Sequence, residues 1–220
     1  MGDRWDKGRM EVFSDGVFAI AITLLVLEIS VPEAAFEDLW SGIVHEWPSY
    51  LAYVTSFLTI GGIWAAHHGI FRRLQYANQR LMVVNLLLLM SVSFLPFPTQ
   101  LMAEAIYDEG AARTAVVFYG STLLVISLLL SALWGSVTLD RHILRPEVGD
   151  DEIKATAIAT APNIGLYIAM IALAFFTPRV AIFGYLVVAI VALLRMRGDS
   201  MPAHGEASAA GVSALPDDSA

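Results

Sequence analysis

The sequence predicts an all-α, polytopic membrane protein with six transmembrane helices. Three observations carry that expectation. Of 220 residues, 57% are hydrophobic and 15% charged, where a water-soluble domain carries about 25% charge. The apolar residues are gathered into runs that approach the ~20 residues a helix needs to cross a bilayer. The thirteen Lys and Arg residues are distributed unevenly about those runs. With the N-terminus placed in the cytoplasm, Arg4, Lys7, Arg9, Arg72, Arg73, Arg80, Arg141, Arg145, Lys154, Arg195 and Arg197 fall on that side. Only Arg113 and Arg179 fall on the other. An excess of positive charge on one side sets orientation, so both termini are expected in the cytoplasm of a multi-pass protein of the cell membrane.

The first span is expected over residues 10–29, in the stretch RMEVFSDGVFAIAITLLVLEI. A polar head (Arg9, Glu11, Ser14, Asp15) leads into an apolar run interrupted by Thr23. The acidic head and the length of the run argue against a cleaved signal peptide. Residues 31–47 form an acidic connector with a short amphipathic piece near 36–44. Pro48 opens the second span (48–71), since proline is favoured in a first helical turn; the span holds Gly61 and Gly62 and ends in WAAHHGIFRR. The third (78–103) carries Asn85 and is expected to bend near Pro96 and Pro98. The fourth runs over 113–139, the fifth over 153–176 with Pro162 inside it, and the sixth over 179–196. Residues 1–197 thus form one six-helix domain. Small, polar residues from 198 to 220 predict a disordered tail.

Composition narrows the chemistry. There is no cysteine, so disulfides and thiolate metal sites are excluded. No helical carboxylate–histidine metal signature occurs, and no Ser–His–Asp arrangement, so neither an enzyme nor a metal site nor a cofactor is expected. Nothing points to nucleic acid; the lipid bilayer is the evident partner. An ionisable residue inside a span is a functional candidate by default. Asp15 lies one turn inside the first helix, at the depth where the second helix returns with His67 and His68. It either caps its own helix or joins a polar cluster with Arg9 and a histidine. Ile20, Thr23, Leu24 and Leu27 recur at helical spacing on one side of the first span. In a symmetric oligomer they make rings around an axis, an apolar neck that can gate by dewetting beside a ring of hydroxyls. The plainer alternative is an apolar helix whose threonine bonds its own backbone. No internal repeat is visible, so a central axis has to come from oligomerisation.

Arg9 followed by Phe13-Ser14-Asp15 at the head of a first span resembles the RxxxFSD signature of the endolysosomal and bacterial potassium channel family, transmembrane protein 175. Trp64 and His67 resemble its Trp-x-x-His element, and Asn85 and Phe94-Leu95-Pro96 add further likeness. The resemblance covers about residues 9–99. It implies six helices per repeat, a pore lined by the first helix and, for a single-repeat chain, a homotetramer. It implies an apolar constriction at Ile20, Leu24 and Leu27 and a hydroxyl position at Thr23. It further implies a structural polar network of Arg9, Ser14, Asp15, Trp64 and His67, with potassium held only transiently in the pore. The function expected is a potassium-over-sodium selective leak channel. The alternative is a proton-coupled secondary transporter using Asp15 and His67 as relays.

Overall fold

A computed structural model describes residues 5–160 and 163–198. Among these the fold is all-α. Helix α1 (Lys7–Leu24) starts where the Asp6 carboxylate accepts a hydrogen bond from Gly8 N at 2.8 Å, an N-cap that satisfies a free backbone donor. It tightens into a 3₁₀ turn over Leu25–Glu28. The α-helix therefore begins before residue 10 and ends before residue 29, and Leu27 lies in the 3₁₀ turn. The connector forms a second 3₁₀ segment (Glu33–Asp38) and the short helix α2 (Leu39–His45), capped by Asp38 on Ser41 N.

Helix α3 (Trp47–Arg72) carries Pro48 in its first turn. Helix α4 (Gln79–Phe94) is capped by Asn78, whose side chain accepts from Leu81 N at 2.9 Å. The expected bend is a division of the third span. Helix α5 (Pro96–Glu104) restarts after Leu95 because Pro96 has no N–H to continue the ladder. Helix α6 (Glu109–Leu139) starts earlier than residue 113, since the Asp108 carboxylate caps Ala111 N at 2.8 Å. Helices α7 (Asp150–Thr160) and α8 (Asn163–Phe176) lie where the fifth span was expected over 153–176, the first of them beginning earlier; residues 161 and 162, with the expected Pro162, lie outside the described residues, as does the tail beyond 198. Helix α9 (Pro178–Gly198) follows.

Among the described residues, four segments are long and apolar enough to cross a membrane: Lys7–Glu28, Trp47–Arg72, Gln79–Tyr107 and Glu109–Leu139. Two shorter apolar helices, Ile164–Phe176 and Pro178–Leu194, accompany them. Helix α6 is the hub, packed against α4, α5, α8 and α9, while α3 joins α1, α5 and α9. Where helices meet deep in the bundle, hydroxyls pair with one another. Ser56 Oγ lies 2.8 Å from Thr99 Oγ1 and 3.0 Å from Tyr119 Oη, joining α3, α5 and α6. Such pairs satisfy groups that neither lipid nor apolar side chains can. Gly120 of α6 admits the Tyr185 hydroxyl of α9 against its backbone; a Cβ there would overlap that oxygen.

At the end of the bundle where the chain begins, three segments form a small ladder. Trp5 and Ala77 exchange backbone bonds of 3.0 and 3.3 Å. Gln75 N donates to Ile143 O at 2.8 Å, and Arg145 N to Arg73 O at 3.0 Å. Lys7 Nζ donates to Phe71 O at 3.0 Å, and Arg73 pairs with Glu152 at 2.9 Å. The first turn of α1 is thereby tied to the 73–77 and 140–152 connections.

Candidate functional site: the first helix and its polar head

Helix α1 has two unlike sides. Ser14, Phe18 and Ala21 are buried on the side that packs against α3 and α4, and Leu25 continues that side into the 3₁₀ turn, which packs against α3 and α5. The opposite side, with Phe13, Gly16, Ile20, Thr23, Leu24 and Leu27, is exposed. Ile20 is 61%, Leu24 39% and Leu27 72% exposed. Only 22% of the apolar window in this segment is buried, against 33% to 44% in the other three long spans, so α1 is the span its own protomer covers least. Thr23 Oγ1 donates to Ile20 O at 2.9 Å, which leaves the oxygen lone pairs directed away from the backbone.

The polar head is built from three helices. Ser14 Oγ donates to Met10 O at 2.8 Å, the usual back-bond of a helical serine. Asn85 Nδ2, from α4, donates to Ser14 Oγ at 3.0 Å. His67 Nε2, from α3, lies 2.8 Å from Asn85 Oδ1. With that oxygen accepting, Nε2 carries the proton, and the chain His67–Asn85–Ser14–Met10 runs in one donor-to-acceptor direction. Ser14, His67 and Asn85 are all fully buried. The His67 ring stacks on Phe71 at 4.3 Å and meets Phe18 at 5.3 Å; among the described residues its Nδ1 has no hydrogen-bond partner.

A second contact lies beside this chain. Trp64 Nε1 donates to Asp15 Oδ1 at 2.8 Å. The Trp64 ring stacks on His68, whose Nδ1 sits 3.3 Å from Glu11 Oε1. Asp15 therefore does not act as the cap of α1, which Asp6 provides. The expected cluster is divided in two: Asp15 bonds Trp64, and His67 bonds Asn85. Arg9 stands apart from both, exposed and without a hydrogen bond or ion pair among the described residues. Asn85 is the member that site reasoning passed over, although an asparagine in an apolar span was the signal for it. The pair Asp15–His67 shows no direct bond of the kind a proton relay needs. Among the described residues no group of three or more His, Asp or Glu converges to hold a metal ion.

Long apolar helices, a buried polar clasp between the first three spans and one span turned outward define a multi-pass membrane protein. Comparison with known proteins agrees. The pattern of the family described as "Endosomal/lysosomal potassium channel TMEM175" matches residues 9–96. A protein named as a potassium channel in Streptomyces collinus is 43% identical over 157 residues, covering 71% of this chain and 76% of that one. Another so named, in Chamaesiphon minutus, is 39% identical over 193 residues, covering 86% and 95%. The crystal structure of a lysosomal potassium-selective channel TMEM175 homolog from Chamaesiphon minutus superposes with a TM-score of 0.77 at 40% identity, over 86% of this chain and 97% of that one. This chain belongs to the TMEM175 family, a family of ion channels and not of enzymes.

Proposed function

We propose that the chain is a potassium-permeable leak channel of a bacterial cell membrane, made of four copies with α1 of each around a central axis. In this reading both termini lie in the cytoplasm, and α8 and α9 complete six crossings, with residues 1–197 as the channel domain. One observation carries it: the side of α1 with Ile20, Thr23, Leu24 and Leu27 is turned away from its own bundle. The relatives' names as potassium channels support the permeant ion.

The physics follows from the side chains. A ring of isoleucine and leucine narrow enough to strip water from an ion is an energetic barrier. Potassium sheds its hydration shell at lower cost than sodium, so such a neck favours potassium. The Thr23 oxygens offer partial replacement of the lost water one turn away. The chain carries no arginine at every third position in any span, so conduction is expected to be only weakly voltage-dependent.

The test is ion flux into liposomes containing the purified protein, driven by potassium or sodium gradients of equal size. Flux carried by potassium and much less by sodium supports the reading. Equal flux of both, or none from an intact oligomer, overturns it.

A further inference from the structure

The sequence assigns all but two of its basic residues to one end of the spans; Arg113 and Arg179 belong to the other. The structure brings these two together. Arg113 of α6 and Arg179 of α9 line one cleft of about 220 Å³, with Glu109 of α6 and Phe176, Thr177 and Val180 at the α8–α9 turn. Both arginines are exposed, and neither makes a hydrogen bond or ion pair among the described residues. Glu109 stands one helical turn before Arg113, a spacing at which a carboxylate and a guanidinium can pair, yet the two do not.

Neither charge serves its own helix. Arg179 is the second residue of α9, where the helix dipole disfavours a cation. Arg113 shares its cleft with a second guanidinium, and like charges held in one cleft repel. Two guanidinium groups and one carboxylate leave the cleft with a surplus of one positive charge.

What meets the cleft follows from its place. It is formed by α6, the end of α8 and the start of α9, whereas α1 packs on α3 and α4. An assembly around α1 therefore leaves the cleft on the outer side, toward lipid. Its height is that of a bilayer boundary, because the spanning segment Glu109–Leu139 begins here. Phe176 and Val180, 83% and 57% exposed, give it an apolar rim. A ligand that satisfies rim and guanidinium groups together has an anionic head and hydrocarbon tails.

We propose that the Arg113–Arg179 cleft holds the phosphate of an anionic phospholipid, with its acyl chains running over Phe176 and Val180. A phosphodiester carries a single negative charge, which balances the surplus in the cleft. Guanidinium forks bond phosphate oxygens two at a time. A phosphatidylcholine head brings its own cation into the same cleft and is disfavoured. The bound lipid pins the α8–α9 turn to α6. The site needs α8 and α9 to reach that membrane surface, as the six-crossing reading has them, and is independent of the ion that passes.

The test counts lipids. The purified full chain, given equal amounts of phosphatidylglycerol and phosphatidylcholine, is measured by native mass spectrometry beside R113Q/R179Q and E109Q. The opposite end carries other arginines, so the readout is the difference between variants. The expected result is one phosphatidylglycerol fewer per protomer in R113Q/R179Q, its retention at this site weakened about tenfold. E109Q removes the competing carboxylate and is expected to retain phosphatidylglycerol more strongly, a gain that damage to the fold cannot produce. Phosphatidylglycerol is also expected to raise the unfolding midpoint of the unmodified chain more than that of R113Q/R179Q, and inorganic phosphate to raise neither. Equal phosphatidylglycerol counts in all three proteins, or weaker retention by E109Q, overturn the site and leave the channel reading standing. A midpoint raised as much by inorganic phosphate marks a free-anion site and overturns the lipid assignment.

Discussion

Asn85 donates to Ser14 Oγ at 3.0 Å from within the apolar run 81–90 of α4. Both side chains are fully buried, and Asn85 also accepts from His67. One amide thus joins the first three spans. Replacing Asn85 with alanine leaves His67 Nε2 and one side of Ser14 without partners, at about 1–3 kcal/mol for each buried group left unsatisfied. Ser14→Ala removes a single neutral bond and costs about 0.5–1.5 kcal/mol. The expected outcome is a larger drop in the thermal unfolding midpoint of the purified protein for N85A than for S14A. Equal midpoints would show that the amide is not the centre of the clasp.

The contact between Trp64 and Asp15 makes a different prediction, because it lies at the surface of the protomer. Asp15→Ala is expected to reduce the yield of intact oligomer more than it changes the permeability ratio of what assembles. Trp64→Phe keeps the ring that stacks on His68 and loses the hydrogen bond, so its effect is expected to be milder. Size-exclusion profiles followed by flux on the surviving fraction measure both quantities; normal yield from D15A contradicts the expectation.

Ile20 is exposed in the protomer and contributes little to its core. Ile20→Asn is therefore expected to leave folding intact, wet the neck and raise sodium permeation relative to potassium. Reversal potentials under bi-ionic conditions report it, and an unchanged ratio removes Ile20 from the constriction.

Thr23→Val keeps the shape and deletes the hydroxyl. Among the described residues its side-chain hydrogen bond is to the backbone of its own helix, so stability is expected to change by less than about 0.5 kcal/mol. If the oxygen substitutes for lost hydration, the potassium-to-sodium ratio falls severalfold. A ratio that stays put while Ile20→Asn changes it would assign selectivity to the apolar ring alone.

Two glycines separate rigid from yielding packing. At Gly120 a methyl group meets the Tyr185 hydroxyl, at the end of a ring with no freedom to bend. At Gly184 the nearest obstacle is the sulfur of Met170, on a flexible side chain. Gly120→Ala is expected to destabilise by about 1–3 kcal/mol and Gly184→Ala by clearly less. Unfolding midpoints of the two variants, compared side by side, check the order.

Much of this molecule was legible in the sequence because a bilayer permits so few structures. The apolar runs announced the long spans, and Pro96 and Pro98 marked where the third one divides. Helix starts were less legible. Asp6 and Asp108 are caps, and each carries its helix several residues back into what reads as polar loop. Of the residues read into the polar head, Ser14, Asp15, Trp64 and His67 bond within it, Arg9 does not, and Asn85 was missed. Depth alone put Asp15 level with His67, but only the rotation of α3 decides that Trp64 takes the carboxylate and leaves His67 to Asn85. The outward turn of Phe13 and Arg9 was not legible at all, since a motif read along the chain does not say which of its members face inward.

The backbone ladder between Trp5 and Ala77 has a mechanical consequence. It ties α1 at its first turn, while the 3₁₀ turn at the other extremity leaves Val26 and Leu27 exposed but is itself anchored by buried Leu25 and packed against α3 and α5. A rod held at both ends does not swing freely. In the proposed pore, a change of bore at Leu27 therefore requires the packing of Leu25 to shift with it.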